Sequence, residues 1–306
     1  MIAYLLSIIS LFLIAPLMLS FIKSLKMFLL YKRPAPLFQG YRNLYKLLGK
    51  ETIISSETSQ ISRVAPFLVL APLLLTLFFL PPIVHSGFYV SFVDAFTITG
   101  LIALSTFFLM LLGLDCASAF GGMGSSREAF IAALVEPAMV LTIFSVSMMA
   151  GDLGVGQAGI NLAAHFPRDH IASFLFAAIS FYILLIAENG RIPVDNPETH
   201  LELTMVHEAM ILDLTGVYLA IIELATSIKF VIFASLFASL FLPFGLQFSA
   251  PVAILLFCLK LFLIAASVAL IEVNTAKLRL FKVPNLLGVA IIFAFLSLIT
   301  FYVLGA

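Results

Sequence analysis

Apolar residues fill eight stretches of membrane-crossing length: Ala3–Ile22, Val64–Val84, Phe92–Leu114, Ala129–Gly151, Ile171–Ala187, Gly216–Phe244, Pro251–Val273 and Leu286–Leu304. A helix rises about 1.5 Å per residue, so about 20 apolar residues cross the hydrocarbon layer of a bilayer. The pattern predicts an all-α polytopic membrane protein with eight spans. The first stretch lacks a basic region before it and is long enough to span, so it reads as a retained helix and not as a cleaved leader. The sixth is long enough to tilt or to form two half-helices. Pro137 lies mid-span and is expected to kink the fourth, freeing carbonyls near Glu136.

Polar residues gather between the spans. One loop, 188–215, holds Glu188, Asp195, Glu198, Glu202, Glu208 and Asp213, with Arg191 as its only Lys or Arg. Within it a short amphipathic helix is expected over Pro197–Met210, capped by Asn196 and started by Pro197 and Glu198. His200, Thr204, His207 and Glu208 would form its polar side, and Leu201, Met205, Val206, Ala209 and Met210 its apolar side. Glu198 and Glu202 would stack one turn apart within that apolar side and repel. The first loop ends in a second segment of helical spacing, Tyr41 to Leu48, with an apolar and a basic side. Such a segment lies along the membrane surface or beneath a docked partner. Asp115–Arg127 is rich in small residues. With no strand or basic residue to make Gly121, Gly122 and Gly124 an anion cradle, it reads as a re-entrant or packing loop.

Composition agrees: 62% hydrophobic, 10% charged, mean hydropathy +1.18 and a net charge of zero over 306 residues. Zero net charge predicts no nucleic-acid partner. The distribution of charge is more telling. Lys23, Lys26, Lys32, Arg33, Arg42, Lys46, Lys50 and Arg63 lie in the first loop, Arg127 and Arg191 in later loops of the same side, and Lys277, Arg279 and Lys282 before the last span. The opposite loops hold only Arg168. The positive-inside rule then places inner loops at 23–63, 115–128, 188–215 and 274–285, with both termini outside. The whole chain, 1–306, reads as one transmembrane domain.

Few residues suggest self-contained chemistry. Gly154-Val155-Gly156-Gln157-Ala158-Gly159 spells G-x-G-x-x-G, but no strand precedes it, so it reads as a flexible turn. His200 and His207 lack a third metal ligand and read as a polar stripe facing a soluble partner. Cys116 and Cys258 cannot by themselves build an iron–sulfur or zinc site. The chemistry resides in ionisable groups near lipid, which are costly and therefore usually used. Glu136, Glu223, Lys229 and Lys260 fall inside predicted spans and Glu272 near the end of one. Each is either a helix-locking pair or part of a proton path.

Several stretches resemble one family. Glu188-Asn189-Gly190-Arg191-Ile192-Pro193-Val194-Asp195, with Pro197-Glu198, Glu202 and Asp213-x-x-Gly216, resembles the acidic loop of the H-type, or subunit 1, protein of respiratory complex I. The wording RIPVDNPETHLELTMVHEAM resembles the homologous subunit of group 4 membrane-bound [NiFe] hydrogenases, the hydrogenase-4 and formate hydrogenlyase type. Lys32-Arg33 with Gln39, Tyr41-Arg42 and Lys46-Leu47 resembles that family's first inner loop. Gly113-Leu114-Asp115, Gly124, Ser126-Arg127-Glu128 and Val135-Glu136-Pro137 resemble its third-to-fourth helix region. Three positions depart from the pattern: Pro34-Ala35-Pro36 stiffens the first loop, Asn43 stands where an Asp is common, and Asp213 replaces a Glu. These departures weaken a quinone site more than a scaffold.

The resemblance implies a non-catalytic coupling subunit in the bacterial or archaeal cytoplasmic membrane. It would dock hydrogenase large and small subunits carrying a NiFe centre and iron–sulfur clusters, with no cofactor of its own. It would also link their electron transfer to proton or cation movement through antiporter-like subunits. The implied path comprises Glu136, Glu188, Asp195, Glu198, Glu202, Glu208 and Asp213, joined by the span residues Glu223, Lys229, Lys260 and Glu272. Arg33, Arg42, Lys46, Arg127 and Arg191 are the implied docking or charge-balancing groups. Two alternatives stay open: the quinone-site subunit of a complex I-like enzyme, and a stand-alone secondary transporter, against which no internal repeat is seen.

Overall fold

The computed structural model describes residues 2–54, 58–80, 94–165, 167, 170–196, 205–245 and 250–305. Within them lie α1 (Ile2–Leu29), α2 (Gln39–Leu48), α3 (Ile61–Phe79), α4 (Ala95–Asp115), α5 (Ala119–Ala150) and α6 (Val155–Ala164). They are followed by α7 (Ile171–Glu188), α8 (His207–Ile211), α9 (Gly216–Leu240), α10 (Ala250–Asn274) and α11 (Val283–Gly305). Eight of these are long and apolar enough to cross a membrane. Their order follows the predicted spans, and α9 is one continuous helix, not two halves.

The longest helices exceed the apolar stretches that predicted them. α1 runs seven residues past Ile22, taking in Lys23 and Lys26. Lys26 sits one turn below the fully buried Ile22, on the same face. It can stay there because Glu272 of α10 receives it at 3.4 Å. α5 begins ten residues before the predicted Ala129. Ser118 caps it, its side chain accepting from Gly121 N at 3.1 Å. The expected loop 115–128 is therefore mostly helix, and α5 runs on through Pro137. The packing role expected of its small residues holds. A Cβ on Gly124 would come within 2.9 Å of Val206 O and 3.0 Å of the Ala209 Cβ. α8 can lie against α5 because that side chain is absent.

Two other expectations fail locally. The G-x-G-x-x-G stretch is not a turn: Gly154 precedes α6, whose Val155, Ala158 and Leu162 are buried with helical spacing. Asp152 accepts from Gly154 N at 2.8 Å, and Asn161 Nδ2 donates to Ala150 O, folding α6 back on the end of α5. The helix expected over Pro197–Met210 does not run unbroken to its end. Residues 197–204 lie outside the described set, while Met205 and Val206 are non-helical and α8 starts at His207. The reason is Asp195, whose Oδ2 takes the N–H groups of Val206 and His207, both at 3.2 Å, and so sets the start of α8.

α9 is the hub. It packs against α1, α2, α3, α6, α7 and α10 and is buried along most of its length. Phe181 of α7 and Phe233, Phe237 and Phe241 form an aromatic cluster toward its C-terminal end. α2 has no buried residue and lies on α1 and α9. Gly40 is its closest approach. A Cβ there would meet Pro16 O at 2.5 Å, and Gly40 N donates to Ser20 Oγ at 2.8 Å.

Candidate functional site

The charged residues that the hydrophobic pattern left inside the spans converge at one end of the bundle. On α9, Glu223, Thr226, Ser227 and Phe230 recur at three- and four-residue spacing and share a face. The end of α7 and the chain after it lie beside that face, and α1 and α10 complete it.

The first group is an ion-pair chain. Glu272, buried on α10, receives Lys26 of α1 and Arg191, each at 3.4 Å. The Arg191 guanidinium also sits 5.7 Å above the Phe230 ring, a cation–π contact. Arg191, implied as a docking or balancing group, is thus turned inward and balances Glu272.

The second group lies deeper. Lys229 Nζ is 2.9 Å from Glu188 Oε1, and Thr106 joins the two. Lys229 Nζ donates to Thr106 Oγ1 at 3.2 Å, and Thr106 Oγ1 donates to Glu188 Oε1 at 3.2 Å. Glu136, half-buried on α5, lies within electrostatic reach of Glu188 and Lys229.

The third group is built around Asp195. Its Oδ1 accepts from Lys277 Nζ at 2.6 Å and from Asn196 N at 2.8 Å, while its Oδ2 holds the start of α8. Pro193 O accepts from Leu278 N at 2.8 Å, doubling the tie to the segment between α10 and α11. A carboxylate with both oxygens so engaged is an anchor. Asp195, implied as a path member, also ties the loop to α8 and to the α10–α11 segment.

A cavity of about 280 Å³ opens between α1, α2, α9 and this loop. Pro16, Leu19, Ile22 and Leu44 are among its apolar lining residues; Arg191, His207, Glu208, Glu223 and Glu272 are among its polar ones. His207 Nε2 lies 3.4 Å from Thr226 Oγ1. Burial, then the positive charge of Lys229, pulls the His207 pKa down to about 4, against the opposing pull of Asp195. Burial pushes Glu208 up to about 7, with the neighbouring Glu223 and Asp195 adding to it. Near neutral pH the wall thus holds a neutral imidazole beside a carboxyl poised to gain or lose a proton.

The remaining expected residues fall elsewhere. Lys260 is at the far end of the bundle, where its Nζ donates to Leu242 O and Phe244 O beyond the C-terminus of α9. It caps a helix and does not join the charged cluster. Asp213 is exposed, and Glu198 and Glu202, like His200, lie outside the described residues. Arg33, Arg42 and Lys46 are exposed around α2. Arg127 bends over the acidic loop, its Nη1 donating to Met205 O at 2.9 Å.

Sequence reasoning missed Lys26, Lys277, Thr106 and Glu128 as members of this end of the bundle. Lys26 was signalled by its spacing from Ile22. Lys277 and Thr106 are found only through contacts more than 80 residues away in sequence. Asp115 was also overlooked: it closes the N-terminus of α3, accepting from Ser59 and from Ser62, whose Oγ and N lie at 2.6 and 2.9 Å.

Comparison with known proteins places this geometry. The family model for NADH dehydrogenase matches residues 4–303. The chain belongs to this family. Among its relatives is hydrogenase-4 component C of Escherichia coli (strain K12), 30% identical over 216 residues, or 70% of the chain. The match spans 66% of that protein, just under two thirds of its length. Formate hydrogenlyase subunit 4 of the same organism is 26% identical over 95% of both chains. An NADH-quinone oxidoreductase subunit from Paraburkholderia xenovorans (strain LB400) is 27% identical over 69% of this chain and 63% of that one. A chain of the membrane-bound sulfane sulfur reductase, an archaeal respiratory membrane complex, shares the fold. Its TM-score is 0.84 at 14% identity, covering 97% of this chain and 98% of that one. This member of the NADH dehydrogenase family is a multi-pass membrane protein whose relatives are subunits of hydrogenase-4, formate hydrogenlyase and NADH-quinone oxidoreductase.

Proposed function

We propose that the chain is the membrane-anchoring and coupling subunit of a hydrogenase-4-like complex. On this reading it holds a peripheral hydrogenase arm through the exposed basic residues of the first inner loop. Large and small subunits with a NiFe centre and iron–sulfur clusters supply the redox chemistry. The chain links that chemistry to proton or cation movement, in concert with antiporter-like membrane subunits in the cytoplasmic membrane. Both termini face outward and the acidic loop faces the arm.

One observation carries the reading. Glu208, a carboxyl that burial pushes up to about 7, stands on a cavity wall, and the same protein holds the buried Lys229–Glu188 pair with the half-buried Glu136 within electrostatic reach of it. Buried charges are costly in a membrane and need pairing. A series that begins at an open cavity has the form of an entry to a path. The mixed apolar and polar lining of the same cavity favours a second reading, a quinone site. At about 280 Å³ it lies just below the ligand pocket range of roughly 300–1,000 Å³.

The test is to purify the tagged chain from native membranes in mild detergent, identify what accompanies it and assay metals. A nickel–iron large subunit with iron–sulfur partners supports the first reading. Complex I-like partners with bound quinone favour the second. A stable chain that purifies alone without metal overturns both.

A further inference from the structure

The segment between α10 and α11 has two sides. One side is spent on the acidic loop: Lys277 Nζ lies 2.6 Å from Asp195 Oδ1, and Leu278 N donates to Pro193 O at 2.8 Å. The chain then extends at Arg279 (φ −67°, ψ 145°) and closes a single 3-10 turn over Leu280–Lys282, with Lys282 N donating to Arg279 O at 2.8 Å. That turn has no buried residue. Arg279 and Lys282 are exposed, and Phe281 between them is 91% exposed.

Charge and depth together say what covers the other side. No Asp or Glu follows Glu272 in the chain. Of the cations Lys277, Arg279 and Lys282, the first is held by Asp195. Arg279 and Lys282 make no salt bridge or side-chain hydrogen bond among the described residues. Phe281 lies at the start of the span Leu280–Val303. Beyond it, α11 turns Ala290 and Ser297 toward α5 and α7, where Ala290 O accepts from Ser180 and Ser297 meets Ser145 and Ser173 O. Val289, Ile292, Phe295 and Ile299 recur on another face at three- and four-residue spacing and are exposed. Phe281 thus stands bare one turn ahead of a bare apolar stripe, at the level where acyl chains begin. Long basic side chains at that level lay their stems along apolar surface and carry their charge up to the headgroups.

We propose that Arg279 and Lys282 clasp the phosphate of an anionic phospholipid whose acyl chain lies against Phe281, and that this lipid keeps Lys277 and Leu278 fastened to the acidic loop. A headgroup held by both cations binds the closed turn better than an opened one, and so shifts the segment toward the closed form. The loop is then fastened from two directions, by protein on one side and by lipid on the other. The site does not depend on which redox arm the protein carries, so it stands or falls apart from the coupling reading.

The experiment places the full chain in nanodiscs of phosphatidylcholine alone or of phosphatidylcholine with phosphatidylglycerol. Hydrogen exchange is followed at the Leu278 amide, whose N–H is itself one of the two ties. A basic side chain near an anionic surface is worth about fivefold in association, so two allow up to roughly thirtyfold. Phosphatidylglycerol is expected to slow exchange at Leu278 severalfold and to leave exchange within α9 unchanged. Arg279→Gln with Lys282→Gln should abolish the slowing, while Arg279→Lys with Lys282→Arg, which keeps both charges, should retain it. Equal exchange in the two bilayers overturns the proposal, as does an undiminished lipid effect in the Gln pair. Equal protection by excess inorganic phosphate in phosphatidylcholine nanodiscs also overturns it, because the ligand would then not be lipid. Should the Gln pair fail to insert, phosphatidylglycerol is titrated into wild-type nanodiscs. Protection that saturates supports a discrete lipid site, and protection that only tracks bilayer charge overturns it.

Discussion

Lys229 Nζ lies 2.9 Å from Glu188 Oε1 in a setting where both side chains are more than nine-tenths buried. Neither charge has water to fall back on. Removing one partner leaves the other stranded, at a cost of about 3–5 kcal/mol for a buried pair. Glu188→Gln and Lys229→Met should each lower the unfolding temperature sharply in detergent. The double variant should regain most of the loss, and a double-mutant cycle read by thermal unfolding checks this.

Glu272 should matter more than either of its partners. Lys26→Met leaves Glu272 with Arg191, and Arg191→Met leaves it with Lys26. Glu272→Gln removes the carboxylate that Lys26 and Arg191 share, and so weakens two ion pairs at once. We expect its destabilisation to exceed that of either single cation variant, and limited proteolysis within residues 188–215 to be fastest in it.

His207 and Glu208 should give opposite pH signatures. The folded His207 has its pKa lowered from 6.5 to about 4, so its contribution is present above about 6.5 and lost as pH falls toward 4. The folded Glu208 has its pKa raised from 4.5 to about 7, so its contribution is present below about 4.5 and lost as pH rises toward 7. Relative to wild type, Glu208→Gln should gain in unfolding temperature as pH rises from about 4.5 to 7. His207→Gln should gain as pH falls from about 6.5 to 4. A pH series of unfolding temperatures in which both variants follow the same trend would contradict these assignments.

Lys260→Met tests whether position in a span is enough to imply transport. Its ammonium caps the end of α9 and touches none of the other charged residues described. Loss of a charged hydrogen-bond donor there should cost roughly 1–3 kcal/mol of stability. Proton translocation per electron should be unchanged. A selective loss of translocation would return Lys260 to the path.

The spans were legible because lipid imposes a simple rule: a segment crosses if it is apolar and long enough. That rule fails at helix ends. It does not see that α1 can carry Lys26 inward once Glu272 is there, or that Ser118 can start α5 among glycines. The site was half legible for the same reason. Glu188, Lys229 and Glu272 stand out as charges in apolar sequence. Asp195 looked equivalent to its neighbours in the acidic loop, and only the structure shows the four hydrogen bonds by which it fastens that loop. Lys260 looked equivalent to Lys229, and only its position at the opposite end separates them.

Val206 and Ala209 seat α8 against Gly124, and a side chain there is excluded by contacts of 2.9 and 3.0 Å. Gly124→Val should displace α8, with an overpacking cost of about 1–3 kcal/mol. Cysteine-labelling rates at position 208 in the two backgrounds would report whether the Glu208 wall has moved.

The hold of Lys277 and Leu278 on Asp195 and Pro193 has a consequence for synthesis. The loop is made some eighty residues before the groups that fasten it. A nascent chain halted before residue 277 has inserted most of its helices yet still carries an unfastened loop. The loop is thus fastened from outside only after α10 and the residues that follow it have been made. A product truncated within α10 therefore keeps every residue of the acidic loop but neither of the two groups that fasten it to the α10–α11 segment.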